Sequence, residues 1–339
     1  MVNLSNLLIA MTRVNVPKLN LVGRLVGSMF NWLGTYALTV IVFTIFLRLI
    51  LLPIDYLQRY SGKKNAIKLK KIQPQIDRLQ KQYGDNKELL NQKMMELQKK
   101  EGYSPFATCL PTIITMVIFF IMFSGLNSYT KYYEANEYNM LAEVYETTYN
   151  NEINNGGTAT TASAKANDAT LANYLENQQK FLWVKNIWQP DSWRAPFLSG
   201  QSTSLDVDIE TGYDIVTGSI QDYYKKPNGR TVWNGYLILP VVIVGVMFLS
   251  TKLINKAAME GQVQTEQTNQ QTKMMNIIMP IMFGIFSVFY STAFALYMLV
   301  NSVLSVGSTL LSTWIANIVV KKKGLEEAID KTDKPSYMR

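Results

Sequence analysis

A single arginine, Arg48, interrupts a stretch that is otherwise without charge from about Leu33 to Leu52 and stops at Pro53. It lies five residues before that proline, roughly 7 Å of helix rise inside the end of the apolar run. Thr44 stands one turn earlier on the same helical face and extends a polar stripe inward. Two readings fit a cation at that depth. In the first, the side chain snorkels along its stem to the interface and needs no partner. In the second, since no Asp or Glu falls within the uncharged stretches, the guanidinium lacks an internal counterion and lines a water-filled recess. Such a recess would attract an acidic, still extended segment of another chain.

Other chemistries are poorly served. The 339 residues contain no histidine and one cysteine, Cys109. Imidazole-based nucleophilic catalysis, His-ligated zinc, an intrachain disulfide and a thiolate cluster therefore have no residues to build them. Neither of the common glycine-rich phosphate loops occurs. The chain is expected to be no enzyme and to use no cofactor or metal.

The elements that must position Arg48 are membrane spans. Hydrophobic residues make up 48% of the chain and charged residues 17%, a charge deficit that points to segments stripped of charge beside others that carry it. A span needs about 20 apolar residues, and five stretches approach that: 33–55, 108–127, 232–251, 276–291 and 294–320. The last two divide a 45-residue uncharged run, Asn276 to Val320, at a tight turn through Ser291, Thr292 and Ala293. The fold class expected is an all-α membrane protein of five transmembrane helices, with its two termini on opposite sides. Between Tyr56 and Ala107 there are twelve Lys/Arg against five Asp/Glu, and between Ser128 and Trp233 eight against thirteen. With Lys321, Lys322 and Lys323 after the last span, the excess of basic residues places 56–107, 252–275 and the 321–339 tail in the cytosol and the N-terminus outside.

Residues 1–32 read as an external interfacial segment, because their basic residues follow the apolar run rather than precede it. In 56–107, Ile72, Ile76, Leu79 and Tyr83, and then Leu90, Met94 and Leu97, recur at helical spacing on either side of Gly84, which makes a helical hairpin. Asp85 with Glu88 reads as a capping box. The basic outer faces suit either plain solvation or anionic lipid headgroups, ribosomal RNA or an acidic protein. In the external loop, 128–231, the low-complexity stretch Asn154 to Ala172 is expected to be mobile or weakly structured. Phe181, Leu182, Trp183, Ile187, Trp188 and Trp193 are expected at the outer headgroup level. Met116, Met122, Met247, Met275, Met279, Met282 and Met298 lie in or beside the spans. They read as ordinary core filling or as an adaptable wall for varied apolar helices.

The stretch Ile72 to Pro111, IQPQIDRLQKQYGDNKELLNQKMMELQKKEGYSPFATCLP, closely resembles the cytosolic hairpin and following helix of the YidC family of membrane protein insertases. The other family marks follow in order: Leu47, Arg48 and Pro53; Phe181, Leu182 and Trp183 with Pro190 and Asp191; Met274 and Met275 leading to Met279, Pro280, Ile281, Met282 and Phe283; and Ala295, Leu296 and Tyr297. The pattern departs from the family where Ser291 and Ala293 replace its usual Pro and Gly, and where Met298 replaces an aromatic. Asn301 and Ser302 invert its Ser-Asn pair, Thr115 replaces a Gln, and the external loop is longer. The large external domain of diderm relatives has no counterpart, which points to a single-membrane bacterium.

The resemblance implies a hydrophilic groove open to cytosol and lipid in the bacterial plasma membrane, with Arg48 as its functional charge and a hairpin that helps receive clients. With Thr44 from the polar stripe, the residues expected to meet a client are Arg48, Thr44, Thr115, Tyr297, Met298 and Asn301. Implied partners are nascent membrane proteins, the ribosome, the targeting machinery, the Sec translocon and anionic lipids. The function expected is that of a membrane protein insertase and chaperone. A small-solute transporter or anion channel using Arg48 is the rival, although no internal repeat favours it. A scaffold that only assembles other membrane proteins is a third reading.

Overall fold

The computed structural model describes residues 13–84, 86–100, 105–197, 212–259 and 266–322; the side chains of 69–71, 87, 98, 105–112, 115, 255–259 and 266–275 lie outside that description. Nine helices and no strands occur among the described residues: α1 (Leu21–Leu33), α2 (Tyr36–Tyr83), α3 (Lys87–Lys100), α4 (Pro105–Asn154), α5 (Ala159–Asn177), α6 (Gly212–Tyr223), α7 (Ile238–Met259), α8 (Glu266–Phe289) and α9 (Thr292–Lys322). Tyr36–Lys68 and Thr292–Lys322 are long and apolar enough to cross a membrane; Ile238–Ile254 and Asn276–Phe289 are shorter apolar helices.

Local chemistry sets the helix ends. Asn20 caps α1 by accepting from the Gly23 N–H at 2.7 Å, and the helix stops at Gly34, whose φ of 70° is the left-handed conformation glycine adopts without strain. Its N–H donates to the Phe30 carbonyl at 2.8 Å. Helix α2 then runs unbroken through Pro53 and Pro74 to Tyr83, so the first apolar stretch and the first arm of the expected hairpin are one helix. The cap of α3 falls one residue later than expected: Asn86 Oδ1 accepts from the Leu89 N–H at 3.1 Å, while Asp85 lies outside the described residues. Ile72 and Ile76 are buried, and Leu79, Tyr83, Leu90, Met94 and Leu97 are half-buried. The turn between α8 and α9 falls at 290–291, so Thr292 and Ala293, expected in the turn, belong to the first turn of α9.

The chain divides into two compact units. The first comprises residues 1–43, 120–244 and 282–298. Its core is built where α4, α5 and α6 bring Ala135, Tyr138, Leu141 and Ala142 together with Tyr174, Tyr213, Val216 and Ile220. The expectation of a weakly structured Asn154 to Ala172 is corrected here: Ala159–Asn177 is a 19-residue helix with a reciprocal Thr158/Thr161 capping box. Ala162, Ala166, Thr170 and Tyr174 recur every four residues and form its buried face, and the small side chains let Ala162 and Ala166 pack beside Tyr145 and Tyr149. The composition that looked featureless is rich in the best helix former.

The aromatic cluster of the external loop is corrected in part. Ile187 and Trp188 are buried; the Trp188 ring stacks on Tyr133 at 4.0 Å and lies 4.0 Å from Tyr36. Only Leu182 and Trp193 of that group are exposed. Asp191 is fully buried because four donors converge on its carboxylate: the backbone N–H groups of Tyr236, Leu237 and Leu239 at 2.7, 3.0 and 2.7 Å, and Trp183 Nε1 at 3.0 Å. It thereby caps the start of α7. The same loop fixes α9, whose Thr292 N–H and hydroxyl both donate to the Gln189 carbonyl, at 3.0 and 2.7 Å. Gln189 Nε2 in turn donates to Glu134 Oε1 at 3.0 Å. Glu134 and Glu137, one turn apart on α4, are both buried; burial first and the Glu134 charge second push the Glu137 carboxyl up to about 8.

The second unit comprises residues 44–119, 245–281 and 299–339, and it holds Arg48.

Candidate functional site: a polar seam around Arg48

On an α-helix of 3.6 residues per turn, positions 44, 48, 55, 59 and 63 fall on one face, within about 100° of one another. In α2 these are Thr44, Arg48, Asp55, Arg59 and Lys63. In α9, Asn301, Ser305, Ser308, Ser312 and the neighbouring Thr309 and Thr313 make a similar row, with Asn317 beyond them. The rows meet. Arg48 donates to Ser308 Oγ twice, from Nε at 3.0 Å and from Nη2 at 2.7 Å. Arg59 Nη2 donates to Thr309 Oγ1 at 3.2 Å, and Lys63 Nζ to Asn317 Oδ1. Each rung lies further along both helices, so the two run parallel at this seam.

The hydrogen-bond polarity at Ser308 follows from its third contact. Its hydroxyl donates to the Ser305 carbonyl at 3.2 Å, which leaves its lone pairs for the guanidinium. Among the described residues Arg48 Nη1 makes no hydrogen bond, so with one Nε–H and one Nη2–H committed to Ser308, three of the five N–H groups remain to be used. One Nη1–H and the second Nη2–H form the parallel fork that suits a carboxylate.

A counterion is present, and this corrects the expectation of a guanidinium without one. Arg48 Nη2 lies 3.4 Å from Asp55 Oδ2, with side-chain exposures of 15% and 20%. The contact is looser than the 2.7–2.9 Å of a charge-assisted hydrogen bond, and Asp55 Oδ2 has no hydrogen-bond partner. Asp55 escapes a search confined to the uncharged stretch because it lies two residues beyond Pro53. Seven residues from Arg48, however, it shares the same face. Arg59 is close enough to feel both the Asp55 and the Arg48 charges. One carboxylate thus serves two guanidinium groups, and the cluster carries a surplus positive charge.

Of the other expected residues, Thr44 is buried on the same helix and Asn301 is half-buried at the start of the α9 row. Tyr297 and Met298 are buried in the first unit, where the Tyr297 ring stacks with Phe294 at 6.1 Å. The side chain of Thr115 lies outside the described residues. Ser308, Arg59 and Thr309 were not singled out in the sequence. The repeat of hydroxyl residues at helical spacing through α9 was the available signal.

The 60Kd inner membrane protein family matches residues 28–318. The chain belongs to this family. Within it, the chain is 36% identical over 107 residues to a "Membrane protein insertase YidC" of Caldanaerobacter subterraneus subsp. tengcongensis, which covers 32% of this chain and 50% of that protein. The protein of the same name from Clostridium perfringens is 40% identical over 94 residues, 27% of this chain and 38% of the relative. The one from Fusobacterium nucleatum subsp. nucleatum is 32% identical over 104 residues, 31% and 49%. The chain thus spans half or less of the length of these curated relatives.

Proposed function

We propose that this chain is a membrane protein insertase and chaperone of the 60Kd inner membrane protein family, acting without nucleotide or covalent chemistry. In this reading the five stretches 33–55, 108–127, 232–251, 276–291 and 294–320 span the plasma membrane, with the N-terminus outside and the C-terminus in the cytosol. Arg48 receives the acidic or polar end of a client in a hydrophilic groove, which shortens that end's path across hydrocarbon. The apolar segment then leaves sideways into lipid. Burial of about 20 apolar residues, at about 25 cal/mol per Å² removed from water, drives the step, and a membrane potential assists an acidic end moving outward.

The observation that carries the reading is the Arg48 side chain, held by Ser308 at a level flanked by apolar residues while Nη1 remains uncommitted. The exposed basic residues of α2 and α3, among them Arg78, Lys81, Lys99 and Lys100, suit anionic lipid, the ribosome and the targeting machinery. The Sec translocon, and the client contacts assigned by resemblance to Thr115, Tyr297, Met298 and Asn301, belong to the same proposal.

The test is insertion of a small single-span client into proteoliposomes. Arg48→Ala is expected to reduce insertion at least tenfold, the effect of about 1.4 kcal/mol, and Arg48→Lys to restore part of it. Unchanged insertion in Arg48→Ala would remove the proposed role.

A further inference from the structure

The Arg48 cluster contains its own competitor for the proposed client. We infer that Asp55 is a built-in counterion that occupies Arg48 between clients, so that an acidic client group binds by displacing it and weakly acidic or neutral ends are filtered out. This rests on the reading of Arg48 as the client-facing charge.

Three features of the geometry point this way. The Asp55 carboxylate is near enough to neutralise Arg48, at 3.4 Å, yet makes no hydrogen bond through Oδ2. A structural ion pair built for strength would use the short, directed, two-pronged geometry available to arginine and carboxylate. Here the short contacts of the guanidinium go to a neutral hydroxyl, Ser308 Oγ. The guanidinium is therefore held in place by a group that does not compete for its charge, while the group that does compete is held loosely.

The second feature is the alternative partner for Asp55. Arg59, four residues further along the same face, is half-buried and feels both the Asp55 and the Arg48 charges. When a client carboxylate takes Arg48, Asp55 keeps an attractive cation beside it. Displacement then does not strand a partly buried anion, which would otherwise oppose the exchange. Two arginines with one resident carboxylate leave room for one more negative charge. The third feature is Nη1, whose two N–H groups hydrogen-bond to nothing among the described residues. A visiting carboxylate can engage them before the Asp55 contact is given up.

The chemistry that the cluster selects is therefore a carboxylate on a short, extended polypeptide end, strong enough as an anion to compete with an aspartate already in position. Asp55 acts through Arg48 and is a positioning and selectivity residue.

The experiment uses the full chain in proteoliposomes and two versions of one small single-span client, with a single Asp or an Asn in the tail that crosses the membrane. Both are supplied below the concentration that saturates insertion. Asp55→Asn is expected to raise insertion of the Asp client about two- to fivefold, the range that competition by a partly solvated ion pair can supply, and to leave the Asn client unchanged. Asp55→Glu is expected to return the Asp client toward the wild-type level. The gain is expected to vanish when Asp55→Asn is combined with Arg48→Ala.

An equal fall for both clients in Asp55→Asn would make Asp55 a structural element and overturn the inference, as would no change for the Asp client. If Arg48→Ala alone leaves the Asp client unaffected, the underlying reading of Arg48 fails. If Arg48→Ala impairs insertion and Asp55→Asn shows no charge-dependent gain, only the counterion inference fails.

Discussion

Arg48 and Asp55 stand seven residues apart on one helix, on either side of Pro53, with Nη2 and Oδ2 separated by 3.4 Å. Their rise along the axis is about 10 Å, which the two side chains and the 3.4 Å gap between them cover together. The pair turns what reads as an isolated charge in hydrocarbon into a small electrostatic circuit, in which Ser308 fixes direction and Asp55 fixes resting charge.

Ser308 orients Arg48 through two hydrogen bonds and carries no charge of its own. Ser308→Ala is expected to lower insertion of an acidic client roughly fivefold, the effect of about 1 kcal/mol, and Ser308→Thr to lie near wild type because it keeps the hydroxyl. The check is the initial rate of insertion into proteoliposomes at equal protein incorporation.

Asp191 collects four donors in a site closed to solvent. Asp191→Ala is expected to cost about 3–5 kcal/mol, since it leaves several buried N–H groups without acceptors. Asp191→Asn, which retains one carbonyl oxygen, is expected to cost less. The measurement is the thermal unfolding midpoint in detergent, together with faster hydrogen exchange at 236–239.

Glu137 is held protonated to about pH 8 by burial and by Glu134. An unfolded glutamate titrates near 4.3, so between those values the folded chain binds more protons than the unfolded one. Stability of the first unit is therefore expected to fall as pH rises from about 4.3 to about 8 and to flatten above. Hydrogen exchange of α5 and α6 peptides across that range is the measurement, and Glu137→Gln is expected to remove much of the dependence.

The turn at 290–291 was legible in the sequence because it interrupts an uncharged run too long for one span. So were the helical repeats of Ile72 and Ile76. These are signals of period and charge that survive in a single chain. Asp55 closes the stretch 33–55 but lies beyond the uncharged run that ends before Pro53; proline reads as a stop, yet α2 continues through it to Tyr83. Helix α5 was hidden by its composition. Ala, Thr and Asn in a run resemble a disordered insert until the spacing of Ala162, Ala166, Thr170 and Tyr174 is counted. Trp188 misled for another reason. An aromatic near a span suits the headgroup region as well as a core, and only the rings of Tyr36 and Tyr133, distant in sequence, make it core. The Arg48–Ser308 contact joins residues 260 positions apart and depends on the register between two helices, which neither segment specifies alone.

Photo-crosslinking from α2 to a stalled nascent membrane protein tests the central claim most directly. Probes placed at Leu52, one turn beyond Arg48, and at Leu49, an exposed apolar position on the same helix, separate the polar face from an exposed apolar one. The account expects crosslinks from Leu52 that fall when Arg48 is replaced by Ala, and far fewer from Leu49. Equal crosslinking from both positions, or crosslinks from Leu52 that ignore Arg48→Ala, would contradict it.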